Sequence, residues 1–171
     1  MQDFESALNL LDGASNRMRD DIMGSFTSIR FTFMEGLVYL KEAQATTSWR
    51  KRRTLQKKAS KSMKSIHSWQ KGGNVNVVHA LHILSAEHAV LKGKKSKARE
   101  QFKRAISVAS QNGFLQDRGL AHELAGRYHL SQGDTHWARY HLEHAELSFS
   151  DWGATIKVEQ LQEQKRVLLG E

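Results

Sequence analysis

The chain has no cysteine and no proline among its 171 residues. Without cysteine there can be no disulfide scaffold, no thiolate metal centre and no thiol nucleophile, and the composition accords with a reducing compartment. Without proline the chain lacks the commonest interior helix breaker and any proline-rich linker, which favours helix throughout. It also has no apolar run near the ~20 residues that a membrane-spanning helix needs. Its first residues, MQDFESALNLLDG, are acidic and amphipathic, unlike the basic start and apolar middle of a secretory signal. The expected location is cytoplasmic. No stretch shows strand alternation, and the only biased segment is the Lys/Arg/Ser stretch at 50–65.

Acidic residues are scarce in the middle of the chain. The formal net charge of +8 is the sum of −3 over residues 1–40, +14 over 41–104 and −3 over 105–171. A length of 171 residues suits one domain with a sizeable core.

What the chain does have is an internal echo. Gly93, Ala98, Phe102 and Ala105 are answered 40 residues later by Gly133, Ala138, Leu142 and Ala145. A small residue, Ala86 or Gly126, precedes each glycine by seven. In a helix–turn–helix unit the small residue allows two helices to approach, the glycine turns the chain, and the Ala and large apolar residue pack the second helix on the first. A degenerate copy is expected earlier, with Gly36 in the small slot and Ala59, Met63 and Ile66 in the second helix, after a longer turn. The period predicts an all-α, TPR-like α-solenoid of about three and a half helical hairpins in one domain, 1–171.

Helical spacing of apolar residues predicts an incoming helix at 2–12. A degenerate hairpin follows over 16–70, with helices at 16–45 (Ile22, Phe26, Ile29, Phe33, Leu37, Leu40) and 49–70. Its turn is expected at QATTS, with Thr47 or Ser48 as cap. One repeat covers 76–112 (helices 76–92 and 95–112) and another 117–150 (helices 117–132 and 134–150), with Asp117 and Asp134 as N-caps. A capping helix at 154–168 carries Ile156, Val158, Leu161 and Leu168.

The sharpest chemical feature is the helix beginning at Trp49, which holds Arg50, Lys51, Arg52, Arg53, Lys57, Lys58, Lys61 and Lys64 and no acid. It forms the solvated outer face of a repeat helix, a dock for an acidic protein, a phosphate-neutralising surface for nucleic acid, a contact for anionic lipid or a nuclear address. Lys57-Lys58-Ala59-Ser60 also resembles a basophilic kinase site. The nine histidines include His79/His82 and His141/His144 at spacing three, but His122-Glu123 meets Gly126 where a zinc helix would place its second ligand. No metal and no cofactor is expected, and no complete catalytic set stands out, so no enzyme activity is expected. Projection onto hairpins puts Glu87, Glu123 and Arg127 toward a concave side, as an ion pair locking two hairpins or as a polar partner-binding groove.

From about residue 33 onward the chain resembles the C-terminal helical-repeat region of very large STAND-type (AAA-like) signalling ATPases, which are fused to kinase-like and histidine-kinase domains. The blocks that carry this are Phe33-Met34-Glu35-Gly36-Leu37, the basic helix from Arg50 to Trp69, Asn76-Val77-Val78-His79 with Leu84-Ser85-Ala86-Glu87, Asn112-Gly113-Phe114 with Leu120 to Gly126, and Trp152-Gly153-Ala154 with Lys157 and Leu161. The loop before Asn76 has Gly72-Gly73-Asn74 where the family has a proline, and Val77 replaces an aromatic. The resemblance implies a regulatory repeat segment of a signal-transduction protein, a scaffold for a protein partner or a neighbouring NTPase or kinase domain. It implies no ATPase or kinase activity here, since no residue of those domains is in the chain. The alternative function is a nucleic-acid-binding helical array using 50–64.

Overall fold

A computed structural model describes residues 26–169, and the side chains of 27–167. The expected helix at 2–12, the segment 16–25 with Ile22, and the side chains of Phe26 and Leu168 lie outside the described residues. Within them the chain is helical throughout: α1 (Phe26–Ala45), α2 (Trp49–Lys71), a 3-10 turn (Val75–Val77), α3 (Val78–Leu91), α4 (Lys95–Gln111), α5 (Leu115–Ser131), α6 (Thr135–Asp151) and α7 (Thr155–Leu169). No described helix is long and apolar enough to cross a membrane.

The repeat is finer than the 40-residue echo. Gly73, Gly93, Gly113, Gly133 and Gly153 stand 20 residues apart, and each has a positive φ, between 67° and 92°. At each, the next residue donates its N–H to the carbonyl five positions earlier: Asn74 to Trp69, Lys94 to Ala89, Phe114 to Ala109, Asp134 to His129 and Ala154 to Phe149, all at 2.9–3.0 Å. This closes the helix end with a left-handed residue that an L side chain would strain. The α4, α5 and α6 helices each have 17 residues. The connection at Asn112–Phe114 is therefore no longer than that at Gln132–Asp134, and the period exceeds the ~34 of TPR units through helix length rather than through a long loop.

The degenerate hairpin is corrected in the same sense. Its turn, Thr46–Ser48, is as short as the others, and the extra residues are helical. Nine positions separate Gly36 from the end of α1, against five between Ala86 and the end of α3; ten separate Trp49 from Ala59, against three between Lys95 and Ala98. The eleven added residues make about three full helical turns, so the buried faces stay in register. Ser48 caps α2 by accepting from the Lys51 N–H at 3.4 Å. Asp134 caps α6 through the Trp137 N–H at 3.2 Å. Asp117 is not a cap. The α5 helix starts at Leu115 after Phe114, which leaves Asp117 buried in its first turn, where a carboxylate complements the helix dipole.

The described residues fall into two compact units that divide between Ala98 and Arg99, so that α4 supplies the second from Arg99 onward. In the first unit α2 runs back along α1. Arg52 meets the Ala43 carbonyl, Lys58 lies over the Tyr39 ring at 5.1 Å, and the Ser62 hydroxyl donates to Glu35 at 2.9 Å. The α3 helix runs alongside α1 in the same direction, with Gly36 facing Leu84 and Lys41 facing Glu87. Phe33, Leu40, Ile66, Ile83 and Leu84 fill the interior.

In the second unit α6 folds back on α5. A Cβ on Gly126 would stand 2.9 Å from Leu142 Cγ, and one on Gly119 would stand 3.1 Å from the Phe149 ring. The α7 helix lies along α5 and closes a cluster of Leu142, Ala145, Phe149 and Leu161, with Val158 and Ala154 against it. Ile156, expected on that stripe, is 72% exposed instead. The echo residues Ala86, Ala98, Phe102, Ala105, Ala138, Leu142 and Ala145 are all buried.

Candidate functional site

The carboxylates assigned to a concave surface are interior. Glu87 is 1% exposed, and Lys41 Nζ donates to both its oxygens at 3.2 Å. Gln44 Nε2 adds bonds to Glu87 Oε2 at 2.6 Å and to its carbonyl at 3.1 Å. Glu123, also buried, is held by Arg127 at 2.8 Å and Lys157 at 3.0 Å. Both clusters join helices, the first tying α3 to α1 and the second tying α7 to α5. Of the three residues, Arg127 alone is exposed, and it also donates to Gln164 at 2.7 Å.

The basic helix divides into engaged and unengaged cations. Arg50 stacks over Trp49 at 5.5 Å. Lys51 reaches Glu42 at 3.6 Å. Arg52 donates to the carbonyls of Ala43 and Thr46 at 3.1 and 3.0 Å, satisfying the end of α1. Lys58 is spent on Tyr39. The others, Arg53, Lys57, Lys61 and Lys64, make no salt bridge among the described residues. With Gln56, Ser60, His88 and Lys92 they line an open cavity of ≈ 470 Å³. Burial, and then the charges of Lys92, Lys97 and Lys94, lower the His88 pKa.

The second unit holds a cavity of the same volume, ≈ 470 Å³, that sequence reasoning missed. It is lined by Arg99, Phe102, Lys103 and Ile106 of α4, His122 and His129 of α5, Asp134, and Trp137, Tyr140 and His141 of α6. His122 Nδ1 and His141 Nδ1 stand 3.0 Å apart, one donating and the other accepting. Burial, then the neighbouring imidazoles, push His122 down to about 3 and His141 down to about 4, so both rings are neutral at pH 7. His129 Nδ1 meets Asp134 Oδ2 at 3.1 Å. The Trp137 N–H, first among several partners, holds the Asp134 carboxyl below its usual range.

The rings continue outward. His129 stacks with His141 at 5.4 Å, His122 with His144 at 5.3 Å, and Tyr140 lies 4.1 Å from His144. Trp137 and Tyr140 are 46% and 41% exposed at the mouth. Among the described residues no three His, Asp or Glu converge as a metal site. The available signal was positional. Residues about equidistant from Gly133 face each other across the α5–α6 turn, which sets His122 against His141 and His144.

No family model, no curated protein and no solved structure matches the chain.

Proposed function

We propose that the chain is a non-catalytic, TPR-like helical-repeat module that binds a segment of a protein partner. Within each unit a helix, its fold-back neighbour and a third helix parallel to the first follow the order of a stacked hairpin array, which supports the solenoid reading. The observation that carries the function is the ring-lined cavity of the second unit. Two aromatic side chains stand at its mouth, the neutral imidazoles of His122 and His141 lie within, and Arg99 and Lys103 sit on its α4 wall. Its one carboxylate, Asp134, is occupied by His129 and the α6 cap. Aromatic anchors with a cationic wall suit a peptide that presents an apolar or aromatic side chain beside acidic residues.

The block order that resembles STAND-type signalling ATPases is the basis for setting this module beside an NTPase or kinase domain in a cytoplasmic signalling protein. Bound peptide would then bias the position of that neighbour. Selection of displayed peptides on the full chain tests the binding role. The expected outcome is enrichment of acidic–aromatic sequences whose affinity falls ~10-fold or more, about 1.4 kcal/mol, in Trp137→Ala. Enriched peptides indifferent to Trp137→Ala and His141→Ala would refute it.

A further inference from the structure

The cation-lined cavity of the first unit calls for an occupant of its own. Arg53, Lys57, Lys61 and Lys64 recur about once per turn along α2, over about 16 Å of helix, and Lys92 faces them from the C-terminal cap of α3. Lys92 is held in place by the Gln56 side chain at 3.2 Å. No Asp or Glu lines the cavity, whereas other cations on the same helix have been given partners: Glu42 for Lys51, backbone carbonyls for Arg52, a ring for Lys58. Five like charges kept together without a counter-charge repel one another, and a bound polyanion relieves that repulsion.

The lining also selects among polyanions. It consists of cations, Gln56, Ser60 and His88, with no aliphatic side chain and no Phe, Tyr or Trp. A nucleic-acid strand would want stacking platforms, a peptide an apolar anchor, and a membrane surface an apolar face to insert. None of these is offered here. We propose that this cavity is a binding site for a compact polyphosphate, a small molecule carrying several phosphate groups close together. Arg53 and Lys57 grip one end, Lys61 and Lys64 the other, and Lys92 closes on it from the cap of α3. Ser60 and Gln56 supply neutral donors between them.

The test is calorimetric titration of the full chain with two probes, inositol hexakisphosphate and inorganic tripolyphosphate, at about 150 mM salt so that loose surface attraction is screened. Both probes are expected to bind at one site. Lys61→Ala and Lys92→Ala, each on an exposed side chain and each checked for retained helix content, should weaken hexakisphosphate ~5-fold or more, and together ~20-fold. Arg50→Ala, on the same helix outside the cavity, should change it less than ~2-fold. A second readout is the imidazole of His88, followed by NMR: bound phosphate should raise its titration midpoint, since an anion favours the imidazolium.

The proposal is overturned if neither probe binds at about 1 mM, a concentration that would still reveal ~4 kcal/mol of affinity. It is equally overturned if Arg50→Ala weakens binding as much as Lys61→Ala, or if binding leaves His88 unmoved. Tighter binding of a single-stranded oligonucleotide with the same number of phosphates would assign the surface to nucleic acid instead.

Discussion

Two clefts of the same volume, ≈ 470 Å³, carry opposite chemistry. In the first unit the cleft between α2 and α3 is walled by cations. In the second, the cleft among α4, α5 and α6 is walled by rings, with two cations at one side. The glycine turns of both units are alike, down to the hydrogen bond that follows each glycine, and only the α1–α2 turn at Thr46–Ser48 among the described residues is built without one. The difference therefore lies in the outward positions of the helices, which the 20-residue rule leaves free. A fold whose glycine turns recur while its outward helix positions diverge can carry different surfaces on one architecture.

The interiors differ too, and substitution sharpens that contrast. Leu142 fills the space over Gly126 and is 1% exposed, whereas Met63, at the equivalent echo position over the first hairpin, is only half-buried. There Gly36 faces Ser62 and Leu84 instead. Leu142→Ala is expected to cost about 3 kcal/mol and Met63→Ala about 1 kcal/mol, measured by urea denaturation. Equal costs would mean that the two hairpins pack alike.

The ion pairs come next. Removing Lys41 leaves Glu87 buried with Gln44 alone, so Lys41→Ala should cost about 2 kcal/mol, less than a wholly enclosed pair because Lys41 is itself 21% exposed. Arg127→Ala should cost under about 1 kcal/mol, since its side chain is 41% exposed and Lys157 still holds Glu123.

Acid should tell the units apart. His122 and His141 titrate at about 3 and about 4 in the folded chain, below the 6.5 of a free imidazole. Between those values the unfolded chain binds more protons. Their contribution is thus complete above pH 6.5 and is lost as pH falls toward 4 and 3, at no more than about 1.4 kcal/mol per pH unit for His122. His122→Gln should flatten that slope in denaturation followed by the fluorescence of Trp137 and Trp152; an unchanged slope would place the acid sensitivity elsewhere.

The smallest expected difference is between turns. Gly93 and Gly133 both have positive φ and open space where a Cβ would stand. Gly93→Ala and Gly133→Ala should therefore each cost about 1 kcal/mol, equally, from backbone strain alone.

The helical class and the packing residues were legible because both follow from spacing. Ala98, Phe102 and Ala105, and again Ala138, Leu142 and Ala145, mark buried faces whatever the chain does outside. The 20-residue unit was equally present in the five glycines. It was obscured because side-chain echoes alternate between the first and second helix of a hairpin and so repeat only every 40 residues, while the glycine turn recurs every 20 residues from Gly73 to Gly153. The roles of Glu87 and Glu123 were half legible. An i, i+4 pairing of Glu123 with Arg127 can be inferred from sequence, but Lys41 and Lys157 reach their carboxylates from helices far along the chain. Asp117 looked like a cap because residue type marks a helix start only to within a turn. The ring-lined cavity needed α4, α5 and α6 brought together before its histidines became neighbours.

The two-cleft account is tested most directly by a crossed titration. Wild type, Trp137→Ala and Lys61→Ala are each titrated with a selected acidic–aromatic peptide and with inositol hexakisphosphate. The account predicts that Trp137→Ala loses the peptide by ~10-fold and keeps the polyphosphate, while Lys61→Ala does the reverse by ~5-fold. Loss of both ligands in one variant, or of neither in either, would contradict it.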